Sequence, residues 1–131
     1  MHLEERLEYI ASADLESKVN DLKSSGWSVV VLPAGIIDRS SFFRAVKQTI
    51  ALDPDVVGDS KWDALSDSMW SGIDGLASDK FAIIWPDYKM MAEAAPEDFA
   101  VARSMLVSLS ASLGNVEATV GNAKQVLIIL S

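Results

Sequence analysis

Three short apolar runs constrain the fold of this chain more than any other feature of its sequence. They cover residues 27–32, 81–85 and 126–130, and helical patterns lie between them. Each run has five or six residues and is rich in β-branched side chains, which is typical of strands buried on both faces of a sheet. Strands that alternate with helices pair in parallel, because the chain must cross back over the sheet between them. The sequence therefore predicts an α/β fold with a three-stranded parallel sheet covered by helices.

Three helices are predicted between these strands from apolar spacing and from the residues that begin helices. The side chains of Asp38 to Ser41 are suited to cap the first helix. The second follows from three apolar residues at the spacing of one helix face, Trp62, Leu65 and Met69. The third begins at Pro96-Glu97-Asp98, because proline suits the first turn and acids favour the positive end of the helix dipole. These helices supply the cover that a buried parallel sheet requires.

The first 25 residues are predicted to form a helical extension. Their apolar residues recur at helical spacing in two successive registers: Leu3, Leu7 and Ile10, then Leu15, Val19 and Leu22. The change of register falls near Ser12 to Asp14, and Ser24-Ser25-Gly26 ends the pattern. We therefore expect one or two short helices over residues 1–25 and a single domain over residues 26–131.

Negative charge is concentrated in residues 53–79, called the acidic segment below. The segment holds seven of the nineteen acidic residues: Asp53, Asp55, Asp59, Asp63, Asp67, Asp74 and Asp79. Lys61 is its one basic residue, while the twelve acids and ten bases elsewhere nearly balance. Trp62 and Trp70 also lie in the segment. Such a segment predicts a surface for a positively charged partner. Nucleic acid would be repelled, so the expected partner is a basic protein.

The residue inventory argues against catalysis and against a cofactor. The chain has no cysteine, which excludes disulfides, thiolate zinc sites and a cysteine nucleophile. Its one histidine, His2, lies at a terminus, where a positioned base is not expected. No nucleotide-binding glycine pattern or nucleophile elbow is present. We therefore predict that the chain is not an enzyme and that it has no catalytic residues.

The aspartates allow four interpretations, which stay open at this point. Paired carboxylates could serve acid–base hydrolysis, although nothing in the sequence indicates a substrate cleft. Asp53, Asp55 and Asp59 are suitable ligands for a hard cation, but the run lacks the twelve-residue loop spacing and its closing glutamate, so no metal is predicted. Asp59, Asp63 and Asp67 recur every four residues and would share one face if the segment were helical throughout. That face is either simply solvated or kept acidic for a partner. Repulsion between like charges at this spacing favours the second interpretation.

The sequence predicts a cytoplasmic protein that does not enter a membrane. No apolar stretch approaches the length of a membrane span. Residues 1–6 show no apolar run behind a basic patch, so no signal peptide is predicted. The absence of cysteine fits a reducing compartment.

The run Gly58-Asp59-Ser60-Lys61-Trp62-Asp63-Ala64-Leu65-Ser66-Asp67 resembles the signature of the barstar family, small acidic inhibitors of secreted ribonucleases. In that family a glycine, an Asn-Trp/Leu-Asp-Ala-Leu run and a second aspartate open the inhibitory helix. The flanking sequence is similar too, in the segments 29–52, 81–85 and 128–131 and at Pro54. The resemblance covers about residues 26–131.

The resemblance implies a three-stranded parallel sheet and a mechanism of inhibition. In the family, a loop and the second helix plug the active site of a basic ribonuclease, and inhibitor carboxylates occupy the places of RNA phosphates. Carried over to this chain, Gly58 would lie in the binding loop, and Asp63 and Asp67 would face cations of the nuclease. The predicted partner-binding residues are Val56, Val57, Gly58, Asp59, Asp63, Ser66, Asp67 and Trp70. For Trp70, core packing and an exposed interface position are equally consistent with the sequence.

The chain also departs from the family pattern. Val56 or Val57 stands where the family prototype has an aromatic residue before the glycine, and Ser66 stands where it has an aromatic between the two aspartates. Ser60 and Lys61 occupy the space of one asparagine, and the prototype has no counterpart of residues 1–25. These departures imply a target other than the prototype's own. We expect a barstar-like inhibitor, monomeric when free, that forms a heterodimer with a basic ribonuclease. The alternative is a barstar-fold interaction module with a partner that is not a nuclease.

Overall fold

A four-stranded parallel sheet forms the centre of the computed structural model, which describes residues 6–115, 119, 121 and 123–131. The strands are Leu7–Tyr9 (β1), Ser28–Val31 (β2), Lys80–Trp85 (β3) and Gln125–Leu130 (β4). Their spatial order is β1-β4-β3-β2, and each neighbouring pair is parallel. The predicted α/β class, the parallel pairing and the three predicted strands are confirmed. The number of strands is corrected from three to four by β1.

The helices of the described residues surround this sheet. They are Leu15–Ser24 (α1), Arg39–Thr49 (α2), Trp62–Asp74 (α3), Tyr88–Ala94 (α4) and Pro96–Leu113 (α5), with a short 3₁₀ helix at Ser12–Asp14. The three helices predicted between the strands are confirmed as α2, α3 and α5. The short helix α4 was not predicted, because seven residues after Pro86-Asp87 are too few to show a helical period.

Residues 7–9 form a strand where the sequence predicted a helix. Leu7 lies opposite Ile128 of β4, so the pairing joins residues that are far apart in sequence. The spacing of apolar residues along a short segment does not show whether a distant strand pairs with it. The helical spacing of Leu7 and Ile10 therefore led to the wrong element type. Leu3 lies outside the described residues. The second half of the predicted extension does form a helix, α1.

Both faces of the sheet are buried, as the strand composition predicts. One face packs against side chains of α2, α3 and α5 in the larger hydrophobic cluster. The other face contributes Ala82, Ile84, Leu127 and Ile129 to a smaller cluster, which Leu22 of α1 completes. Residues 6–24 therefore contribute an edge strand and a covering helix. Whether residues 26–131 fold without them is a prediction that these contacts do not test.

Two local features fix the start of α2 and the position of α3. The Ser41 backbone N–H donates to the Asp38 carboxylate at 2.8 Å. In return, the Asp38 backbone N–H donates to the Ser41 hydroxyl at 3.0 Å. This reciprocal cap confirms the predicted start of α2. Gly72 of α3 approaches the chain just after α2 so closely that a Cβ there would overlap the carbonyl of Ala51.

Among the described helices, none has the length and apolar character needed to cross a bilayer.

Candidate functional site

Residues 53–61 form the last part of the connection between α2 and α3, and three contacts attach them to the rest of the protein. At its start, the Asp53 N–H donates to the Ser68 carbonyl of α3 at 3.1 Å. Val56 is half-buried against the larger hydrophobic cluster. The Lys47 ammonium of α2 donates to the Gly58 carbonyl at 2.7 Å. Gly58 has a φ of 80°, which a glycine adopts without strain and other residues rarely do.

The tip of this loop presents a fully exposed apolar side chain. Val57 is 98% exposed and stands immediately before Gly58. A single exposed valine is ordinary on a protein surface. Beside exposed carboxylates, however, it combines an apolar contact with negative charge, a pairing suited to a protein partner. The two valines at the predicted site thus differ, since Val56 faces the core and Val57 faces solvent.

Helix α3 presents a buried face and an acidic face. Leu65 and Met69 are fully buried, and the half-buried ring of Trp62 packs against Phe43 with ring centroids 5.0 Å apart. Asp63 and Asp67 are both exposed, one turn apart. The apolar residues therefore orient the helix so that both carboxylates face solvent.

Asp59 does not share the helical face of Asp63 and Asp67. Lys61 is the N-cap residue of α3 with extended backbone (φ −114°, ψ 95°), so the helix begins only at Trp62. Asp59 lies in the preceding loop, beside α2. The conditional expectation of a continuous face of three aspartates is therefore wrong for Asp59, because the chain turns before the helix starts.

A groove of about 460 Å³ runs between α3 and α5. Asp63 and Ser66 line it from α3, while Val101, Ser104 and Ser108 line it from α5. Asp63 carries the one charge among its lining residues. The groove offers serine hydroxyls, apolar side chains such as Val101 and Met105, and one carboxylate. This combination is suited to the stem and cationic head of a lysine or arginine.

Trp70 is placed between the two roles that the sequence left open. Its ring is half-buried against the larger hydrophobic cluster, and its indole N–H donates to the Ser112 hydroxyl of α5 at 2.9 Å. Trp70 therefore links α3 to α5 near the C-terminal end of α3. A role in contacting a partner remains a prediction for the part of the ring that solvent reaches.

Among the described residues, no aspartate of the acidic segment forms an ion pair. Six of its seven aspartates are exposed, and Asp74 is half-buried. Among the described residues, the recorded ion pair is Lys18–Glu8, far from the segment in sequence, at 3.1 Å. The described residues also contain no group of three or more acidic or imidazole side chains placed to hold a metal ion, so Asp53, Asp55 and Asp59 do not converge on one point. The electrostatic potential of this surface is available to a cationic partner.

Comparison with known protein families places these observations in context. The family model described as Barstar (barnase inhibitor) matches residues 28–125, about three quarters of the chain. This chain belongs to the barstar family. The barstar match begins at the first residue of β2 and ends at the first residue of β4, so it includes the loop, α3 and the α5 wall of the groove. A search of curated proteins found no match.

Two parts of the site were not predicted from the sequence. The first is the side of the groove that α5 forms. It consists of uncharged residues such as Val101 and Ser104, and nothing in the sequence around them indicates a binding site. The second is Lys47, which in sequence is an ordinary exposed lysine on a helix. Only the contact with Gly58 distinguishes it.

Proposed function

We propose that this barstar-family chain is a cytoplasmic inhibitor of a basic ribonuclease, which it binds in a one-to-one complex without cofactor or catalysis. Residues 53–61 and α3 enter the active site of the nuclease and exclude RNA. The observation that carries this proposal is the pair of exposed carboxylates on α3, Asp63 and Asp67, which have no ion-pair partner among the described residues. The family assignment supplies the class of target.

Carboxylates on a rigid helix are suited to replace phosphates in a nuclease active site. Both groups present anionic oxygens to the same arginine and lysine donors, and an arginine can bond a carboxylate through two parallel hydrogen bonds. The buried residues Leu65 and Met69 fix the helix that carries them, which limits the entropy lost on binding. Val57 adds an apolar contact at the loop tip, and the groove beside Asp63 accepts one long cationic side chain.

The remaining aspartates act at longer range. Asp55 and Asp59 extend the negative surface around the helix. Complementary charge of this kind mainly accelerates encounter with a cationic enzyme, and salt screens it. Asp63 and Asp67 are therefore expected to determine the lifetime of the complex. The surrounding aspartates are expected to determine how fast it forms.

A pull-down from the native host tests the proposed function. Extract and secreted protein are passed over immobilised wild-type chain, over the Asp63→Ala/Asp67→Ala variant and over the control Asp21→Ala. Asp21 is an exposed aspartate of α1, outside the site. We expect the wild type and the control to retain a basic protein whose ribonuclease activity appears after elution, and the double variant to lose it.

The same experiment distinguishes a ribonuclease inhibitor from an interaction module whose partner is not a nuclease. A retained protein that lacks ribonuclease activity, and that is lost with the double variant, identifies the chain as a barstar-fold interaction module. Ser66, and either Val56 or Val57, stand where the prototype has aromatic residues, which favours a changed target in either case. Equal retention by the wild type and the double variant contradicts any role for the acidic helix.

A further inference from the structure

The loop of residues 53–61, called the binding loop below, has few attachments between its two ends. Residues 54–60 are exposed except for half-buried Val56. In the part of the chain that the structure describes, the bond from the Lys47 ammonium to the Gly58 carbonyl is the one hydrogen bond recorded to these residues. A single side chain of α2 therefore holds the tip of the loop.

The space around Lys47 shows that the loop stands away from α2. One groove of about 450 Å³ lies between the end of α2 and the start of the loop, lined by Ile50, Asp55 and Val56 among others. A second groove of about 340 Å³ lies towards the middle of α2, lined by Arg44 and Asp59 among others. Lys47 lines both grooves and crosses the gap between helix and loop. With open space on either side, close packing does not fix the position of Gly58.

For attraction to a basic partner, a lysine at this place is unfavourable. A cation beside the acidic loop weakens the attraction between that loop and a basic partner. The hydrogen bond gives a positive reason for its presence, because a charged donor on a carbonyl forms a stronger bond than a neutral one. Lys47 also lies in the last turn of α2, where the helix dipole favours a cation.

We propose that Lys47 is a positioning residue of the binding surface, whose bond to Gly58 holds Val57 and Asp59 in the conformation that a partner meets. A loop already ordered in the free protein loses less conformational entropy when it binds. The effect on binding rests on the proposed function, whereas the effect on the loop concerns the free protein alone. The two can therefore be tested separately.

The first experiment measures loop order in the free full-length protein. Backbone ¹⁵N relaxation at residues 56–60 is compared in wild type, Lys47→Met, Lys47→Arg and the control Lys89→Met. Lys89 is an exposed residue of α4, so its replacement makes the same change in charge without touching the loop. We expect lower order parameters at Gly58 and Asp59 in Lys47→Met only, partial rescue by Lys47→Arg and unchanged order in α2 and α3. Unchanged relaxation at Gly58 in Lys47→Met overturns the proposal.

The second experiment measures binding to the ribonuclease retained in the pull-down. We expect Lys47→Met to dissociate about tenfold faster than wild type, a ratio that corresponds to about 1.4 kcal/mol. Its association should be equal or faster, since a repulsive cation is removed, and Lys89→Met should keep the wild-type dissociation rate. Equal dissociation of Lys47→Met and wild type contradicts the positioning role. If no ribonuclease is retained, the proposed function fails, while the relaxation data still decide whether Lys47 holds the loop.

Discussion

At the scale of single residues, the chemistry of this surface depends on where each aspartate lies. Asp63 and Asp67 are exposed on a helix with a fixed buried face, whereas Asp55 and Asp59 lie in the loop before it. A charge on a rigid element is already placed when a partner arrives, but a charge on a loop must also be ordered. The same residue type therefore contributes to binding in two different ways.

We expect Asp67→Ala to weaken binding to the natural partner mainly through faster dissociation. Truncating one member of a buried charge pair costs about 2–5 kcal/mol, a range drawn partly from the prototype complex of this family. The stability of the free protein should be unchanged or slightly higher, because repulsion from Asp63 one turn earlier is relieved. Surface plasmon resonance and urea unfolding measure the two effects. The control Asp55→Asn should mainly slow association and flatten its salt dependence, and wild-type affinity in Asp67→Ala would refute the assigned role.

At the scale of elements, two local features fix where α2 begins and how α3 packs. The cap at Asp38 fixes where α2 begins, and the close contact of Gly72 with Ala51 fixes how α3 lies against the chain leaving α2. Both features are local and involve few atoms. Each can therefore be altered by one substitution without changing any aspartate of the acidic segment.

The cap of α2 should give stability a measurable pH dependence. The Ser41 backbone N–H first, the Ser41 hydroxyl next and the nearby charge of Arg44 last hold the pKa of the Asp38 carboxyl below its ordinary value. A depressed pKa contributes stability above the ordinary Asp pKa of about 3.9 and loses it as the pH falls through the folded-state value. Asp38→Asn keeps a capping acceptor without the charge. Urea unfolding from pH 7 to pH 2 should show wild type more stable at neutral pH and the difference shrinking below about pH 4. A difference that grows in acid would contradict this account.

The contact between α3 and Ala51 should make Gly72 intolerant of even one methyl group. A Cβ at this position overlaps the backbone carbonyl of Ala51, and backbone moves less readily than a flexible side chain. We expect Gly72→Ala to lower the free energy of unfolding by about 1–3 kcal/mol, the usual cost of overpacking. Gly75→Ala is the matched control, because a Cβ there meets its nearest atom only at 3.4 Å. Equal stabilities of the two variants, measured by urea unfolding, would show that the segment after α2 relaxes freely.

Sequence patterns predicted the elements whose signal is local. The apolar runs became β2, β3 and β4, and the buried stripe of Trp62, Leu65 and Met69 became the inner face of α3. Strand β1 escaped prediction because it has three residues and takes its conformation from Ile128, over a hundred positions away. The wall that α5 adds to the site escaped for a related reason, since exposed serine and valine on a helix give no sign of what they face.

At the scale of the whole molecule, the described residues that precede the family match, 6–27, include one strand of its sheet. The barstar-family match starts at Ser28, yet β1 pairs with β4 and α1 covers the smaller hydrophobic cluster. The larger cluster, by contrast, consists of buried residues from Leu32 onward. Most of the core, and the whole candidate site, therefore lie outside the extension.

We expect a chain of residues 26–131 to unfold cooperatively but with markedly lower stability. Removing α1 uncovers Ile84, Leu127 and Ile129, and full exposure of such a side chain costs about 1.5–3 kcal/mol. Circular dichroism melting and binding of a hydrophobic dye, compared with full-length chain and with Leu22→Ala, measure the loss. Leu22→Ala should fall between the two, because it removes one buried side chain of α1. A truncated chain with no cooperative transition would place the domain boundary before residue 26.

The row of aromatic rings that crosses the core places two of the chain's four tryptophans, Trp62 and Trp85, in different environments. Trp85 is completely buried, and its indole N–H has no hydrogen-bond partner among the described residues, so its fluorescence should be blue-shifted and indifferent to solvent. Phe42 separates it from Trp62, with ring centroids 5.0 Å and 5.8 Å away, and Trp62 is half-buried directly beside Asp63. A partner that covers Asp63 also removes water from Trp62. Complex formation should then change the intrinsic emission of the protein, to which the buried Trp85 contributes a constant part, so that binding can be followed without a label.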